Sequence, residues 1–236
     1  MKFKNYIYMC VCGFISACVG VLAYKLYQDA EPQNINALVE LADKYYKGDG
    51  VEKNYQEAFN LYKKAAKKGN AVAQYELGCM YYWGEGVEKN LQESFLWFMK
   101  AAEQGNSKAQ CQLGVMYFTG EGVEKKPYEA FKWNKKAAEQ ENANAQYILG
   151  RMYDMGIGVE KNYKEAFKWF MKAAEQGHAD AQANVGLKYA SGLGVEYNKQ
   201  EAIKWYKKAA EQGNEFAKLF LEGYKSDGGF LRGMLE

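Results

Sequence analysis

The stretch from Asn70 to Gly105 reads NAVAQYELGCMYYWGEGVEKNLQESFLWFMKAAEQG, and its short sequence motifs recur every 36 residues along the chain. Its Ala-Ala pair has equivalents at 65–66, 137–138, 173–174 and 209–210. Its Gly-Glu-Gly-Val segment matches a Gly-x-Gly-Val pattern that recurs at 48–51, 120–123, 156–159 and 192–195. Because this spacing never changes, the sequence predicts a solenoid of stacked units.

Each unit contains two segments with helical periodicity, one on either side of the Gly-x-Gly-Val pattern. In the first segment, Ala73 and Leu77 fall on one face of an α-helix, and Gly78 allows a neighbouring helix to approach closely. In the second segment, Phe95, Phe98 and their counterparts in the other units form the predicted buried stripe. Each unit is therefore predicted to be an antiparallel helical hairpin, and the fold class is all-α.

The second helix of four units is predicted to begin with the same signal. An asparagine is followed three residues later by a glutamate, which is a capping-box arrangement, at Asn54, Asn90, Asn162 and Asn198. The third unit has Lys126 here, followed by Pro127 at the first helical position, where the missing N–H costs nothing. A glycine such as Gly105 is expected to end the second helix.

The extent of the repeat predicts the domain organisation. Residues 1–27 form an N-terminal hydrophobic segment, and residues 28–33 form a short linker. Residues 214–236 lack the Gly-x-Gly-Val pattern and are predicted to form a degenerate capping helix and a tail. The five repeat units between them are predicted at 34–69, 70–105, 106–141, 142–177 and 178–213.

The N-terminal segment contains an uncharged run, residues 5–24, that is long enough to cross a bilayer. Three interpretations stay open: a retained single-pass anchor, a bacterial lipoprotein signal cut before Cys18, or an ordinary cleaved signal peptide. All three export the repeats. We therefore expect membrane contact through residues 5–24 and a body outside the cytoplasm, or a lipoprotein or secreted form if the segment is cleaved.

The charge of the chain bears on its partners. Lys and Arg total 31 and Asp and Glu total 29, which gives a net charge of +2. Such a balance creates no strong positive field for a phosphate backbone. We therefore do not expect nucleic acid as a partner.

The Ala-x-Ala-Gln-Tyr-x-Leu-Gly, Gly-x-Gly-Val and Ala-Ala-x-x-Gly patterns resemble those of the Sel-one-like repeat family, which is related to the tetratricopeptide repeats. The resemblance covers residues 34–213. It implies a right-handed superhelical solenoid of antiparallel helix pairs that serves as an adaptor or scaffold, often exported in bacteria. A cysteine-rich branch of the family has been assigned β-lactamase or penicillin-binding activity. That branch carries a disulfide in each unit, whereas only Cys79 and Cys111 lie in the repeats here.

One set of positions on the first helices differs from unit to unit, whereas the packing positions stay similar. Within a unit its members are spaced by four, three and four residues, so they share one helical face, which in related solenoids lines the concave groove. Neutral surface variation and a groove for a protein or peptide partner both stay open as interpretations. The candidate groove positions are Val72, Glu76, Cys79 and Trp83, then Lys108, Gln112, Val115 and Thr119, then Asn144, Ile148, Arg151 and Met155, then Asp180, Asn184, Leu187 and Ser191.

Other distinctive side chains favour structural roles. A tryptophan recurs once per unit, which indicates packing rather than a sugar-binding ladder, at Trp97, Trp133, Trp169 and Trp205. Cys79 and Cys111 lie four positions out of step on neighbouring helices, so we expect two free, mostly buried thiols. His178, the only histidine, stands where other units carry asparagine, which favours a polar role at a helix terminus.

Catalytic patterns find little support in the sequence. A serine β-lactamase needs Ser-x-x-Lys, and none of the five serines has a lysine three residues later. Because His178 is the only histidine and its position favours a helix-terminus role, no His-based triad or zinc cluster can be assembled. We therefore predict a repeat scaffold for protein–protein interaction without a cofactor, with a β-lactamase-type activity and a structural spacer as the alternatives.

Overall fold

The computed structural model describes residues 34–226, with the backbone alone for 224–226. Its regular elements in that range are α-helices, numbered α1 to α11 in chain order: Ile35–Lys47, Tyr55–Lys67, Ala71–Trp83, Leu91–Glu103, Ser107–Thr119, Pro127–Glu139, Ala143–Met155, Tyr163–Glu175, Ala179–Ser191, Lys199–Glu211 and Glu215–Ser226. None of these eleven helices is long and apolar enough to cross a membrane. The hydrophobic segment at 1–27, the linker at 28–33 and the tail after residue 226 lie outside the described residues.

The helices pair as the repeat predicts. Odd-numbered helices from α1 to α9 are the first helices of the five units, and even-numbered helices are the second helices. Contacts concentrate between helices that follow one another in sequence, both within a unit and from one unit to the next. α11 packs on α10 as the capping helix. The predicted all-α solenoid of antiparallel helix pairs is confirmed.

The start of each second helix confirms one half of the predicted capping box and corrects the other. The side chain of Asn54 accepts a hydrogen bond from the backbone N–H of Glu57 at 3.1 Å, as predicted. The Glu57 side chain does not return the bond, because the N–H of Asn54 donates to the carbonyl of Tyr45 at 2.9 Å. That carbonyl lies near the end of α1, where helical acceptors need partners. The third unit has no side-chain cap at Lys126 and begins α6 at Pro127.

The second glycine of each Gly-x-Gly-Val turn lies against the preceding unit. Gly122 has a φ of +71°, and a Cβ there would lie 2.3 Å from the carbonyl oxygen of Leu91 at the start of α4. Gly50 in the first unit has the same φ of +71°, and no atom of residues 34–226 lies within 4 Å of the equivalent position. The close approach therefore belongs to stacking between units, and it recurs at Gly86, Gly158 and Gly194.

Buried glutamines also join successive units. The Gln74 side-chain amide donates to the carbonyl of Ala66 in the preceding unit at 3.1 Å. Its oxygen accepts from the amide of Gln104 at 2.7 Å. These bonds satisfy both ends of a buried polar side chain. The arrangement repeats at Gln110, Gln146 and Gln182.

The buried aromatic stripe of the second helices is interrupted in the third unit. Phe98 packs against Gly78, where a Cβ would lie 2.7 Å from the ring. The predicted aromatic counterpart of Phe98 in the third unit is instead Asn134, which is fully buried. Its Nδ2 donates to the carbonyl of Ala130 at 2.9 Å, whereas its Oδ1 has no hydrogen-bond partner. Such an oxygen destabilises the fold relative to a solvated one.

A buried ion pair links the last two units. Lys188 is 2% exposed and pairs with Asp154 on the neighbouring first helix. Its Nζ also lies 4.8 Å from the ring centroid of Tyr163. The equivalent positions in units two to four carry methionine, at Met80, Met116 and Met152.

Candidate partner-binding groove

The candidate groove positions all retain solvent access. Nine of the sixteen are exposed and the other seven are half-buried. Trp83 is the most exposed of the large apolar ones, at 67%. A face with this exposure and composition is available for contact, and its shape depends on the cavities between neighbouring first helices.

One of these cavities, with a volume of about 580 Å³, lies between α5 and α7 and reaches the start of α9. Cys111 lines it, in the position that Tyr75 and Tyr147 occupy in the units on either side. A thiol is much smaller than a phenol ring, so the gap between the two tyrosines stays open. Six of the predicted positions line this central cavity: Lys108, Gln112, Val115, Asn144, Ile148 and Asp180.

A second cavity has the same origin one step along the solenoid. Ala183 stands at the position equivalent to Tyr147, and a cavity of about 280 Å³ opens beside it. The predicted positions Asn184 and Leu187 line this cavity. It shares Tyr147 and Asp180 with the central cavity, so the two adjoin.

A third cavity, of about 130 Å³, lies at the other end of the central one and shares Val115 and Ile148 with it. Its further lining is mostly apolar and includes Phe118, Met155 and Ile157 together with Arg151. We call the three adjoining cavities the groove. The groove follows the first helices of the third, fourth and fifth units.

Six of the predicted positions do not line the groove. Four of them, Val72, Glu76, Cys79 and Trp83, belong to α3, which contributes Tyr75 to the groove instead. Thr119 and Ser191 turn their hydroxyls back onto carbonyls of their own helices, at 3.2 and 2.8 Å. Burial, followed by the nearby carboxylate of Asp43, raises the pKa of Glu76.

The two thiols are free, as expected. Cys79 is half-buried and Cys111 is buried. Burial raises the pKa of each thiol to about 12. Both are therefore protonated at neutral pH, which makes them weak nucleophiles and weak metal ligands.

His178 caps a helix, as its sequence position predicts. Its Nδ1 accepts a hydrogen bond from the backbone N–H of Ala181 at 3.3 Å. The imidazole stacks on Tyr147 with 4.6 Å between ring centroids, and burial lowers its pKa. Among residues 34–226, no group of three or more His, Cys, Asp or Glu side chains is arranged to hold a metal ion.

The recurring tryptophans pack into the solenoid as predicted. Trp97 is 9% exposed, and its equivalents in the fourth and fifth units are similarly buried. The Nζ of Lys100 lies 4.1 Å from the Trp97 ring centroid, and the same lysine–tryptophan contact recurs in the next three units. Three of the four rings are buried and Trp133 is half-buried, which favours packing over a sugar-binding ladder.

Sequence reasoning missed several groove residues. Tyr75, Cys111, Tyr147 and His178 line the central cavity, and Phe118 lines the third. The signal was present in the repeat itself, because the column that reads Tyr, Cys, Tyr and Ala in units two to five marks where the rings are missing.

Comparisons with known proteins agree with this architecture. The model of the Sel1 repeat family matches five consecutive segments, each starting one residue later than the units predicted above: 35–70, 71–106, 107–142, 143–178 and 179–214. None of the curated proteins is similar enough in sequence to match this chain.

Solved structures give the same result. A Sel1 repeat protein from Oxalobacter formigenes is 38% identical, with a TM-score of 0.79 over 86% of this chain and 84% of that one. A protective antigen of uropathogenic Escherichia coli is also 38% identical, with a TM-score of 0.78 over 83% of this chain. This chain spans only 42% of that antigen. An immunity protein from Pseudomonas aeruginosa is 25% identical, with a TM-score of 0.53 over 80% of this chain and 69% of that one.

The repeat model accounts for more than half of the chain, and two solved structures share 38% of its residues over more than four-fifths of its length. The chain belongs to the Sel1 repeat family.

Proposed function

We propose that this chain is a cell-envelope scaffold that holds a protein partner in the groove on its third, fourth and fifth units. The Sel1 repeat fold is a scaffold fold that commonly mediates protein–protein interaction. The observation that carries the proposal is that most positions that vary between units also line the cavities of the groove. Two of the three cavities open where Cys111 and Ala183 replace the tyrosine of other units, and ten of the sixteen variable positions line the three cavities together.

The composition of the groove suits a protein segment. Its walls mix aromatic and aliphatic carbon with a few charged and amide groups, such as Lys108, Asn144 and Asp180. Binding sites for protein partners commonly combine apolar anchors with polar groups that set orientation. A purely structural spacer gains nothing from such a groove, because stacking is already achieved by the glycines and glutamines.

The export part of the proposal rests on the uncharged run at residues 5–24. One similar structure is a protective antigen and another is an immunity protein. Protease treatment of intact cells and spheroplasts tests export, because digestion of the repeats from outside the inner membrane is expected and full protection would refute export.

The binding test restores the aromatic ring that the third unit lacks. Cys111→Tyr places a phenol ring where Tyr75 and Tyr147 already fit in their own units, so the solenoid is expected to fold while the central cavity fills. The matched control is Leu96→Tyr, which adds a ring at a 52% exposed position on a second helix. Circular dichroism confirms helicity in both variants.

Crosslinking and affinity capture of the full-length protein from cells then provide the readout. A defined protein captured by wild type and Leu96→Tyr, and lost from Cys111→Tyr, supports the proposal. Equal capture by all three proteins would refute the groove as the binding site and favour another face or a spacer.

The enzymatic alternative has no supporting feature in the groove. Sel1 repeat proteins are generally non-catalytic scaffolds. Hydrolysis of a chromogenic cephalosporin by the purified full-length protein would revive the alternative, and we expect no turnover.

A further inference from the structure

The stacking of the third on the fourth unit differs chemically from the two stacking steps before it. Between units one and two, the Tyr46 hydroxyl donates to a carboxylate oxygen of Glu85 at 2.7 Å. Between units two and three, the Tyr82 hydroxyl donates to Glu121 at 2.7 Å. Each link joins the end of one first helix to the turn of the next unit.

Neither partner of that link is present at the third step. Phe118 stands at the tyrosine position and Ile157 at the glutamate position, so the hydroxyl and the carboxylate are both replaced by apolar carbon. The 130 Å³ cavity lies between these two side chains. Phe118 is 40% exposed and Met155, at the same cavity, is 46% exposed. This junction therefore presents an open apolar site to solvent.

Two cations flank the site without a carboxylate partner. Arg151, the only arginine among residues 34–226, is exposed and lines the cavity. Its guanidinium carbon lies 6.0 Å from the Tyr147 ring centroid. The Nζ of Lys125 lies 5.4 Å from the Phe118 ring centroid. Within the described range, neither Arg151 nor Lys125 forms an ion pair.

We infer that this junction binds an acidic peptide segment of a partner protein, with one large apolar side chain in the cavity and carboxylates on Arg151 and Lys125. The inference rests on the proposed function and specifies its partner. A guanidinium recognises a carboxylate through paired hydrogen bonds. The volume fits one side chain, because a cavity of about 150 Å³ holds benzene. A long-chain fatty acid needs more space, since pockets for larger ligands start near about 300 Å³.

The chain itself supplies the blocking variant. Phe118→Tyr combined with Ile157→Glu rebuilds the tyrosine–glutamate link that already joins the earlier units, so the array is expected to stay folded while the cavity becomes polar and closed. Arg151→Glu reverses the charge at the site. Lys207→Glu, an exposed charge reversal on α10, is the matched control.

The probe is a fluorescein-labelled peptide, Gly-Glu-Glu-Leu-Glu-Glu-Gly, whose binding to the full-length protein is followed by fluorescence anisotropy. Control peptides carry serine in place of leucine or lysines in place of the glutamates. We expect the double variant and Arg151→Glu each to weaken binding of the first peptide at least tenfold. Lys207→Glu is expected to bind like wild type, and both control peptides are expected to bind at least tenfold more weakly.

Several results would overturn the inference. Equal binding of the serine peptide would show that the cavity is not used, and dodecanoate binding without peptide binding would assign the site to a lipid. Self-association that is lost in the double variant would assign it to a second copy of the chain. If cellular capture fails in Cys111→Tyr but persists in the double variant, this inference fails while the proposed function stands. If neither change affects capture, both fail.

Discussion

The glycine that touches the preceding unit offers a stringent test of how the solenoid is held together. Gly122→Ala and Gly50→Ala introduce the same methyl group at the same backbone conformation, since both residues have a φ of +71°. Only the surroundings differ. A Cβ at Gly122 would lie 2.3 Å from the Leu91 carbonyl oxygen and 2.6 Å from its carbon, whereas no atom of residues 34–226 lies within 4 Å of the equivalent position at Gly50.

The expected magnitudes follow from these two surroundings. The left-handed conformation costs an alanine roughly 1–2 kcal/mol, and the lower entropy of the unfolded chain returns about 0.4–1 kcal/mol. Gly50→Ala should therefore destabilise by about 1 kcal/mol. Gly122→Ala adds an overlap with rigid backbone, and overpacking of this kind costs about 1–3 kcal/mol more.

Urea unfolding followed by circular dichroism at 222 nm measures the difference. Because repeat arrays are stabilised by interfaces between neighbouring units, the Gly122 variant should also separate the transition of the first two units from that of the rest. Equal midpoints and equally sharp transitions for the two variants would refute the assigned role of the glycine in stacking.

Three further predictions concern single positions. Glu141 has a φ of +62° where the other units carry glycine. The left-handed conformation costs a non-glycine residue roughly 1–2 kcal/mol, and the larger unfolded-state entropy of glycine offsets about 0.4–1 kcal/mol of that. Glu141→Gly should therefore raise the free energy of unfolding in urea by about 1 kcal/mol, and a decrease would contradict backbone strain at Glu141. Asn134→Phe removes a buried unpaired oxygen and should stabilise by about 1–3 kcal/mol in the same assay, whereas a loss would show that the site cannot accept a ring. Burial lowers the pKa of His178, so its stability contribution is complete above about pH 6.5 and declines as the pH falls from there toward the folded-state pKa. His178→Asn should remove this decline from the pH dependence of thermal unfolding, and an unchanged pH dependence would contradict the role of Nδ1 as a cap.

The fold could be predicted because one period carries most of its determinants. Helix starts, turn glycines and buried alanines depend on residues within one unit, and that unit is repeated five times in the sequence. Only one of the two predicted capping-box hydrogen bonds forms, because the bond from the N-cap N–H to the glutamate side chain competes with an acceptor on the preceding helix. The N–H of Asn54 was already taken by the carbonyl of Tyr45, at the end of the preceding helix.

The groove was harder to predict because its shape depends on where a large side chain is replaced by a small one. Helical spacing identifies which side chains share a face, and ten of the sixteen positions chosen that way line the cavities. Spacing does not show where the next helix leaves space. That depends on side-chain volume at one column, where Cys111 stands between Tyr75 and Tyr147. The buried Lys188 was missed for a related reason, since its partner Asp154 lies 34 residues away in another unit.

The third unit lacks several stabilising features that the other repeat units share. Its second helix lacks a side-chain cap at Lys126, its core holds the unpaired oxygen of Asn134, and its final turn holds Glu141 in a glycine conformation. Each of these differences destabilises the fold, and the adjacent units carry the more stable residue at every one of the three positions. The same unit contributes Cys111 and Phe118 to the groove. Local rules are most often broken where a surface has a function besides folding. The third unit therefore combines these differences with two of the side chains that shape the groove, which favours a binding role for this part of the array over neutral variation.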